Sequence, residues 1–234
     1  MAQNCTLSNL PLDQTRFVIT KYHMAQEPKI PAHEQVYRTL RTRIMYGEMA
    51  PASALTLRGI GAEFNVSMTP AREAVRRLVA EGALNLSASG RVSTPELSND
   101  RIEELACLRA MLEPELGARA LPRVHPALIE RLQNINAVIA EKIVKADATG
   151  YVRANLEFHR TLYLRAQSPA MLALLETVWL QSGPTMRSLY SRLPRTLASE
   201  KHRTIIAALR ANDEPALRLS IQSDVTSGLR MLLT

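Results

Sequence analysis

The stretch Val66-Ser-Met-Thr-Pro-Ala-Arg-Glu-Ala-Val-Arg-Arg-Leu78, closed by Glu81-Gly82, limits the fold of this chain more than any other. It opens with helix-starting residues: Ser67 or Thr69 as the cap, Pro70 in the first turn, and Glu73 where the helix dipole favours an acid. Ala74, Val75, Leu78 and Val79 give a buried face at helical spacing, and Gly82 stops the helix. A shorter helix is expected just before it, from about Arg58 to Phe64, with the turn at Asn65-Val66. Gly59 and Gly61 weaken that helix by about 1 kcal/mol each relative to Ala. Further back, Val36, Leu40 and Ile44 recur every four residues beside Tyr37, which predicts a helix from Pro31 to a stop at Gly47. Pro51 to Leu57 reads as a connector. Leu84–Leu86 and Arg91–Thr94 flank Ser87-Ala-Ser-Gly90, a hairpin with a small-residue tip. This order of elements is that of a winged helix-turn-helix, and it implies binding to double-stranded DNA.

After Pro95 the strand signals cease and 3.6-residue periodicity continues to the end. It predicts helices at about 98–121, 126–147, 150–166, 169–189, 197–211 and 213–232, with Ser98 or Asn99, Ser168 and Asp213 as N-caps. The expected fold is therefore mainly α: an N-terminal winged helix-turn-helix followed by an all-helical bundle of about six helices. Residues 1–28 read as a flexible arm, 29–96 as the DNA-binding domain and 97–234 as the helical domain.

Composition adds little to this and excludes some classes. The net charge is +7, which favours a polyanion, but the excess is not confined to one half. Residues 1–97 carry 11 basic and 8 acidic side chains, and residues 98–234 carry 18 and 14. The placement of arginines must therefore carry the argument. Cys5 and Cys107 form no metal or redox spacing. No apolar run approaches the ~20 residues that span a bilayer, and the first residues lack a secretory core. No membrane association and a cytoplasmic location are expected.

In a helix-turn-helix the first turns of the second helix face the major groove. Here they offer Ser67, Met68, Thr69 and Arg72, then Arg76 one turn later. Hydroxyls and helix-start N–H groups suit phosphate, and Arg72 has the reach for a guanine edge. Arg58 is placed for the DNA backbone or a base. Gly90-Arg91 at the wing tip suits the minor groove or a phosphate. Taken alone, Arg76 and Arg77 read as a solvated helix face.

On these residues the chain resembles a known family. Residues 36–94 are similar to the winged-helix domain of GntR-family transcription regulators. Val36-Tyr-x-x-Leu-Arg-x-x-Ile44-x-x-Gly47 matches its first helix, and the Ser67 to Gly82 pattern matches its recognition helix. The family pattern has Arg where this chain has Met68. Arg109-x-x-Leu112-Glu113, Asn155-x-x-Phe158-His159, Glu200-Lys-His202, and Asp213 followed by Asp224 resemble the FCD-type helical domain of the FadR-like subfamily, over about residues 98–232.

That resemblance implies a divalent metal held by one Asp and three His. Matched position by position, these are Asn155, His159, His202 and Asp224 here. Two imidazoles and a carboxylate remain, a competent set for zinc or nickel, while Asn155 offers a neutral carbonyl. The plainer alternative is that His159 and His202 line a cavity without metal. Arg109 is the candidate for pairing with the carboxylate of an organic-acid effector, or else for a salt bridge. Arg109, Asn155, His159 and His202 form the expected effector site. Met111, Met171, Trp179 and Met186 are candidates for lining it or for core packing.

The expectation is thus a homodimeric transcription regulator, a repressor, whose operator affinity responds to a small organic acid. Two alternatives remain. One is a DNA-binding protein whose bundle senses nothing. The other is a metal-dependent hydrolase using Glu157 or Glu200 as base, although no HExxH spacing is present.

Overall fold

The computed structural model describes residues 30–87, 89–190, 197–231 and 233; the arm expected over residues 1–28 lies outside these. Helix α1 (Ala32–Met45) buries Val36, Tyr37, Leu40 and Ile44, the residues whose spacing defined its face. Helix α2 (Leu57–Glu63) is short, and α3 (Met68–Ala80) lays Ala71, Ala74, Val75 and Leu78 against α1. Ala71 is buried where Val79 was expected, because 71, 74, 75 and 78 form the i, i+3, i+4, i+7 stripe and Val79 lies beyond its edge. Gly61 has a positive role. A Cβ there would stand 2.9 Å from the Val66 carbonyl oxygen, so the tight α2–α3 approach needs a residue without one.

The connector expected over Pro51–Leu57 contains a strand, β1 (Ala54–Leu55). It pairs antiparallel with β3 (Val92–Ser93), and β2 (Asn85–Leu86) pairs with β3 from the other side, so the order is β1-β3-β2. Ala54 and Asn85 both face Ser93. Two residues carry no readable period, and the strand exists because a distant partner completes it. Buried Thr94 ties the connector down. Its hydroxyl accepts from the Ser53 N–H (2.9 Å) and donates to the Ala50 carbonyl (2.7 Å).

From Ser98 onward the described residues are helical: α4 (Asn99–Ala120), α5 (Pro126–Val144), α6 (Ala148–Tyr163), α7 (Pro169–Tyr190), α8 (Leu197–Ala211) and α9 (Glu214–Arg230). Three of the starts are capped by short side chains. Ser98 accepts from the Arg101 N–H, Asp147 from that of Gly150 and Asp213 from that of Ala216. Helix α4 packs mainly on α9, α5 on α6 and α8, and α7 on α4, α1 and α6. Leu105, Leu116, Leu132, Phe158 and Trp179 fill the interior, each fully buried side chain contributing about 1.5–3 kcal/mol. No helix among the described residues is long and apolar enough to cross a membrane.

Candidate functional site

The DNA-facing candidates belong to α2, to the first turns of α3 and to the hairpin between β2 and β3. Thr56 caps α2 by accepting from the Gly59 N–H (2.9 Å), which starts the helix one residue before Arg58. Asn65 takes a left-handed backbone (φ 50°) and turns the chain into α3. Ser67 occupies the N-cap position, yet its hydroxyl makes no capping bond; nor does Thr69, which lies inside the helix. Both side chains stay exposed, as do Met68 (46%), Arg72 and Arg76. Arg72 and Arg76 stand one turn apart on the same face. Arg58, Gly90 and Arg91 are exposed as well, and Gly90 turns the wing tip with φ 79°. Among the described residues, the side chains of Arg58, Arg72, Arg76 and Arg91 have no hydrogen-bond or ion-pair partner.

Arg77 differs. Its guanidinium lies 3.6 Å over the Tyr37 ring and reaches Glu34 (2.9 Å) and Glu81 (3.3 Å). Tyr37 also donates to Glu81 (2.7 Å). Arg77 therefore binds α3 to α1, and only its neighbours are free for a ligand.

The second constellation is buried in the bundle. α6 contributes His159, α8 His202 and α9 Asp224; each offers one ligand atom, and these atoms all lie within 4.8 Å of one another. Both imidazoles are fully buried. Their hydrogen bonds fix which nitrogen carries a proton. Tyr163 donates its hydroxyl to Glu113 (2.9 Å), so its oxygen accepts from His159 Nδ1 (3.1 Å). Asn136 donates its amide to the Ser199 carbonyl (3.1 Å), so its oxygen faces His202 Nδ1 and accepts from it (3.2 Å). Both Nε2 atoms are left with lone pairs, and neither has a hydrogen-bond partner among the described residues.

Both Nε2 atoms lie beside a carboxylate. His159 Nε2 is 3.0 Å from Asp224 Oδ2, and His202 Nε2 is 3.7 Å from it. The shorter contact is not aligned as a hydrogen bond. A lone pair that close to an anionic oxygen is repulsive unless a proton or a cation lies between them. Burial opposes ionisation of Asp224, and the nearby Arg109 charge, with that of either histidine when protonated, lowers its carboxyl below the ordinary value. Burial, partly opposed by Asp224, pushes His202 down to about 4, so its ring is neutral near pH 7. A carboxylate and two imidazoles are the donor set a divalent ion takes, and ligand atoms around a tetrahedral zinc stand roughly 3.3 Å apart.

Glu113 supports this set from behind. Besides the Tyr163 hydroxyl it accepts from Arg109 Nε (2.5 Å) and from the Trp179 indole (3.2 Å), all within the core. Burial and the Glu113 charge keep Tyr163 a phenol, well above its ordinary value. Glu113, Tyr163 and Asn136 were not read as site residues. The i+4 spacings of Arg109–Glu113 and His159–Tyr163 were visible in the sequence, whereas nothing local links Asn136 to His202.

Asn155 is buried on α6, one turn before His159 on the same face. Arg109 is buried and already paired with Glu113. Met111 is 66% exposed and faces outward, Met171 is half-buried, and Met186 and Trp179 are core residues. Glu157, paired at the surface with Arg131, and Glu200 are both exposed, so neither stands beside the triad as a base. An open groove of about 460 Å³ between α5 and α8 has Asn136 and Ser199 in its floor and Arg203 and Arg210 along its rim.

Comparison with known proteins gives a consistent result. Residues 104–226 match the FCD domain, and residues 32–91 match the bacterial regulatory proteins of the gntR family. The HTH-type transcriptional regulator McbR of Escherichia coli (strain K12) is 27% identical over 187 residues, 79% of this chain and 85% of its own length. The gluconate operon transcriptional repressor of Bacillus subtilis (strain 168) is 28% identical over 163 residues, 70% of this chain and 65% of its own. The solved structure of E. coli McbR/YncC superposes with a TM-score of 0.79 at 24% identity, covering 87% of this chain and 97% of that one, which shows the shared fold.

Proposed function

The chain belongs to the gntR family of bacterial regulatory proteins and carries an FCD domain, and on that premise we propose that it is a metal-holding, acid-responsive repressor. Its relatives are transcription regulators, not enzymes, and the hydrolase reading finds no base beside the triad. Operator DNA would lie on Ser67, Met68, Thr69, Arg72 and Arg76 of the α3 end, on Arg58, and on Gly90-Arg91 of the wing. Repression is the direction named for the relative that controls a gluconate operon.

The observation that carries the sensing half is the pair of orphaned Nε2 lone pairs facing Asp224. His159, His202 and Asp224 would hold a divalent ion, zinc or nickel, with the Asn155 carbonyl as a neutral fourth donor. The ion would supply a Lewis-acid seat for the carboxylate of a small organic acid. Tyr163 and Asn136 keep the two imidazoles in the ligating tautomer, as outer-shell partners do. Arg109 would serve the acid only by giving up Glu113. The α5–α8 groove, whose floor holds the partner of His202, is a route toward the triad for an anion drawn by Arg203 and Arg210. The domains would run 29–96 and 97–234 behind the 1–28 arm, in a cytoplasmic homodimer on a two-fold operator.

The test is elemental mass spectrometry of untagged protein purified without chelator, with operator binding followed by anisotropy on duplexes selected from random DNA. About one zinc or nickel per chain is expected. His159→Ala should lose the ion and any acid response while keeping the affinity of the acid-free form for DNA. Absence of metal after reloading would leave a regulator whose bundle does not sense through an ion.

A further inference from the structure

Trp179 and Gln181 lie two residues apart on α7, so their side chains leave the helix on nearly opposite sides. Trp179 points into the bundle, where its indole N–H donates to Glu113 Oε1 (3.2 Å). Gln181 points to the winged helix. Its Nε2 donates to the carbonyl of Glu81, the residue that closes α3 (2.9 Å), and its Oε1 accepts from Arg101 of α4 (2.6 Å). The amide is thus held at both ends, and neither end can be released by a side-chain rotation that keeps the other.

The joint around it is backbone on backbone. A Cβ at Gly183 would lie 2.2 Å from the Ile44 carbonyl oxygen and 2.8 Å from that of Met45, at the end of α1. A Cβ at Gly82 would lie 2.8 Å from Gln181 Nε2. The close approach at Gly183 leaves α7 little room to tilt toward the end of α1. On the other side, Glu113 is the common acceptor of Arg109, Trp179 and Tyr163, and Tyr163 in turn accepts from His159. Arg109, Glu113 and Arg101 also share α4. Two routes therefore run from the His159 ring, through Trp179 on α7 and through α4 to Arg101, and they meet at one side chain. Chains of packed and hydrogen-bonded groups on rigid elements are the physical carriers of coupling between sites.

We propose that Gln181 is the positioning residue through which the buried histidine site sets the C-terminal end of the recognition helix. The proposal rests on the triad holding a metal ion. Fixing His159 on an ion fixes Tyr163 and Glu113, and with them the seat of Trp179. Gln181 passes the resulting placement of α7 to the Glu81 carbonyl. An acid that drew Arg109 away from Glu113 would act on the same hub with the opposite sense.

Hydrogen exchange on the full-length protein tests this, with zinc alone as the probe. The amides of Ala83 and Leu84 both donate to the Leu78 carbonyl (2.9 and 3.3 Å), so their exchange reports opening of the end of α3. Zinc should slow it by about tenfold in the wild type, within the usual range of allosteric coupling. Gln181→Glu keeps the volume and the Arg101 contact but has no hydrogen to donate to Glu81. It should bind zinc with wild-type affinity and show less than about a twofold response at residues 83 and 84. Gln181→Met, which loses both contacts, should behave likewise. An equal zinc response in wild type and both variants overturns the role of Gln181, as does tight zinc binding by the wild type with no change at residues 83 and 84. Failure of the wild type to bind zinc overturns the metal reading itself, and the coupling with it.

Discussion

Tyr163 donates its hydroxyl hydrogen to Glu113 at 2.9 Å, and that bond decides the tautomer of His159. With its proton committed, the phenol oxygen only accepts, the hydrogen of the imidazole sits on Nδ1, and Nε2 is left bare toward Asp224. On the proposed metal reading, the ligating ability of His159 is therefore set by a residue that would not itself touch the ion.

Tyr163→Phe removes the acceptor without removing a ligand. Zinc affinity should fall by about 10–100-fold, the usual loss for an outer-shell partner. Calorimetric titration reads this directly, and an unchanged dissociation constant would mean that His159 holds its tautomer by other means.

Asp224→Asn takes the only anion from the triad while keeping its shape. Stoichiometric zinc binding should be lost, and operator affinity in chelator should stay as in the wild type. Retention of one zinc per chain would show that the two histidines recruit their third ligand elsewhere.

The neutral, buried His202 predicts acid sensitivity of the metal-free protein. Its folded value is lowered from 6.5 to about 4 by burial, only partly opposed by Asp224. Between those values the unfolded chain binds a proton that the folded chain refuses, so stability falls as pH drops from 6.5 toward 4. Urea midpoints in chelator at pH 7 and pH 5 should separate clearly for the wild type and much less for His202→Asn. Equal separations would place the acid sensitivity on other groups.

Arg72 and Arg77 should part company. Arg72→Ala should weaken binding to a selected operator by about 1–3 kcal/mol and blunt its preference over a mismatched duplex. Arg77→Ala should instead lower the melting temperature slightly, because it loses a cation–π contact of about 0.5–1 kcal/mol and surface ion pairs of small worth. Anisotropy and melting curves on both variants check the division, which fails if Arg77→Ala alone alters base preference.

Gly183→Ala should destabilise the joint between α7 and α1, at about 1–3 kcal/mol for an overpacked contact. Thermal unfolding reads the loss. A variant as stable as the wild type would mean that the two backbones separate at little cost.

Much of this molecule was legible in its sequence. Val36, Leu40 and Ile44 fix α1, and the predicted starts at Ser98 and Asp213 are the observed caps because a short side chain closing a helix is a local event. His159, His202 and Asp224 were found by resemblance, and the fold brings all three together. The unread parts depend on distance along the chain. β1 exists only through β3, some forty residues later, and Asn136 meets His202 across two helices. Arg77 and Arg76 are neighbours with the same side chain, and only the turn of α3 sends one to Tyr37 and the other to solvent.

That division of α3 has an evolutionary consequence. Arg72 and Arg76 have no hydrogen-bond or ion-pair partner among the described residues, whereas Ala71, Ala74, Leu78 and Arg77 hold the helix in place. On the proposed docking of α3, mutations on the face of Arg72 and Arg76 would change which operator is recognised while leaving the fold and the joint behind it in place. Descendants of such a gene would then acquire new target promoters while inheriting the proposed chemical trigger.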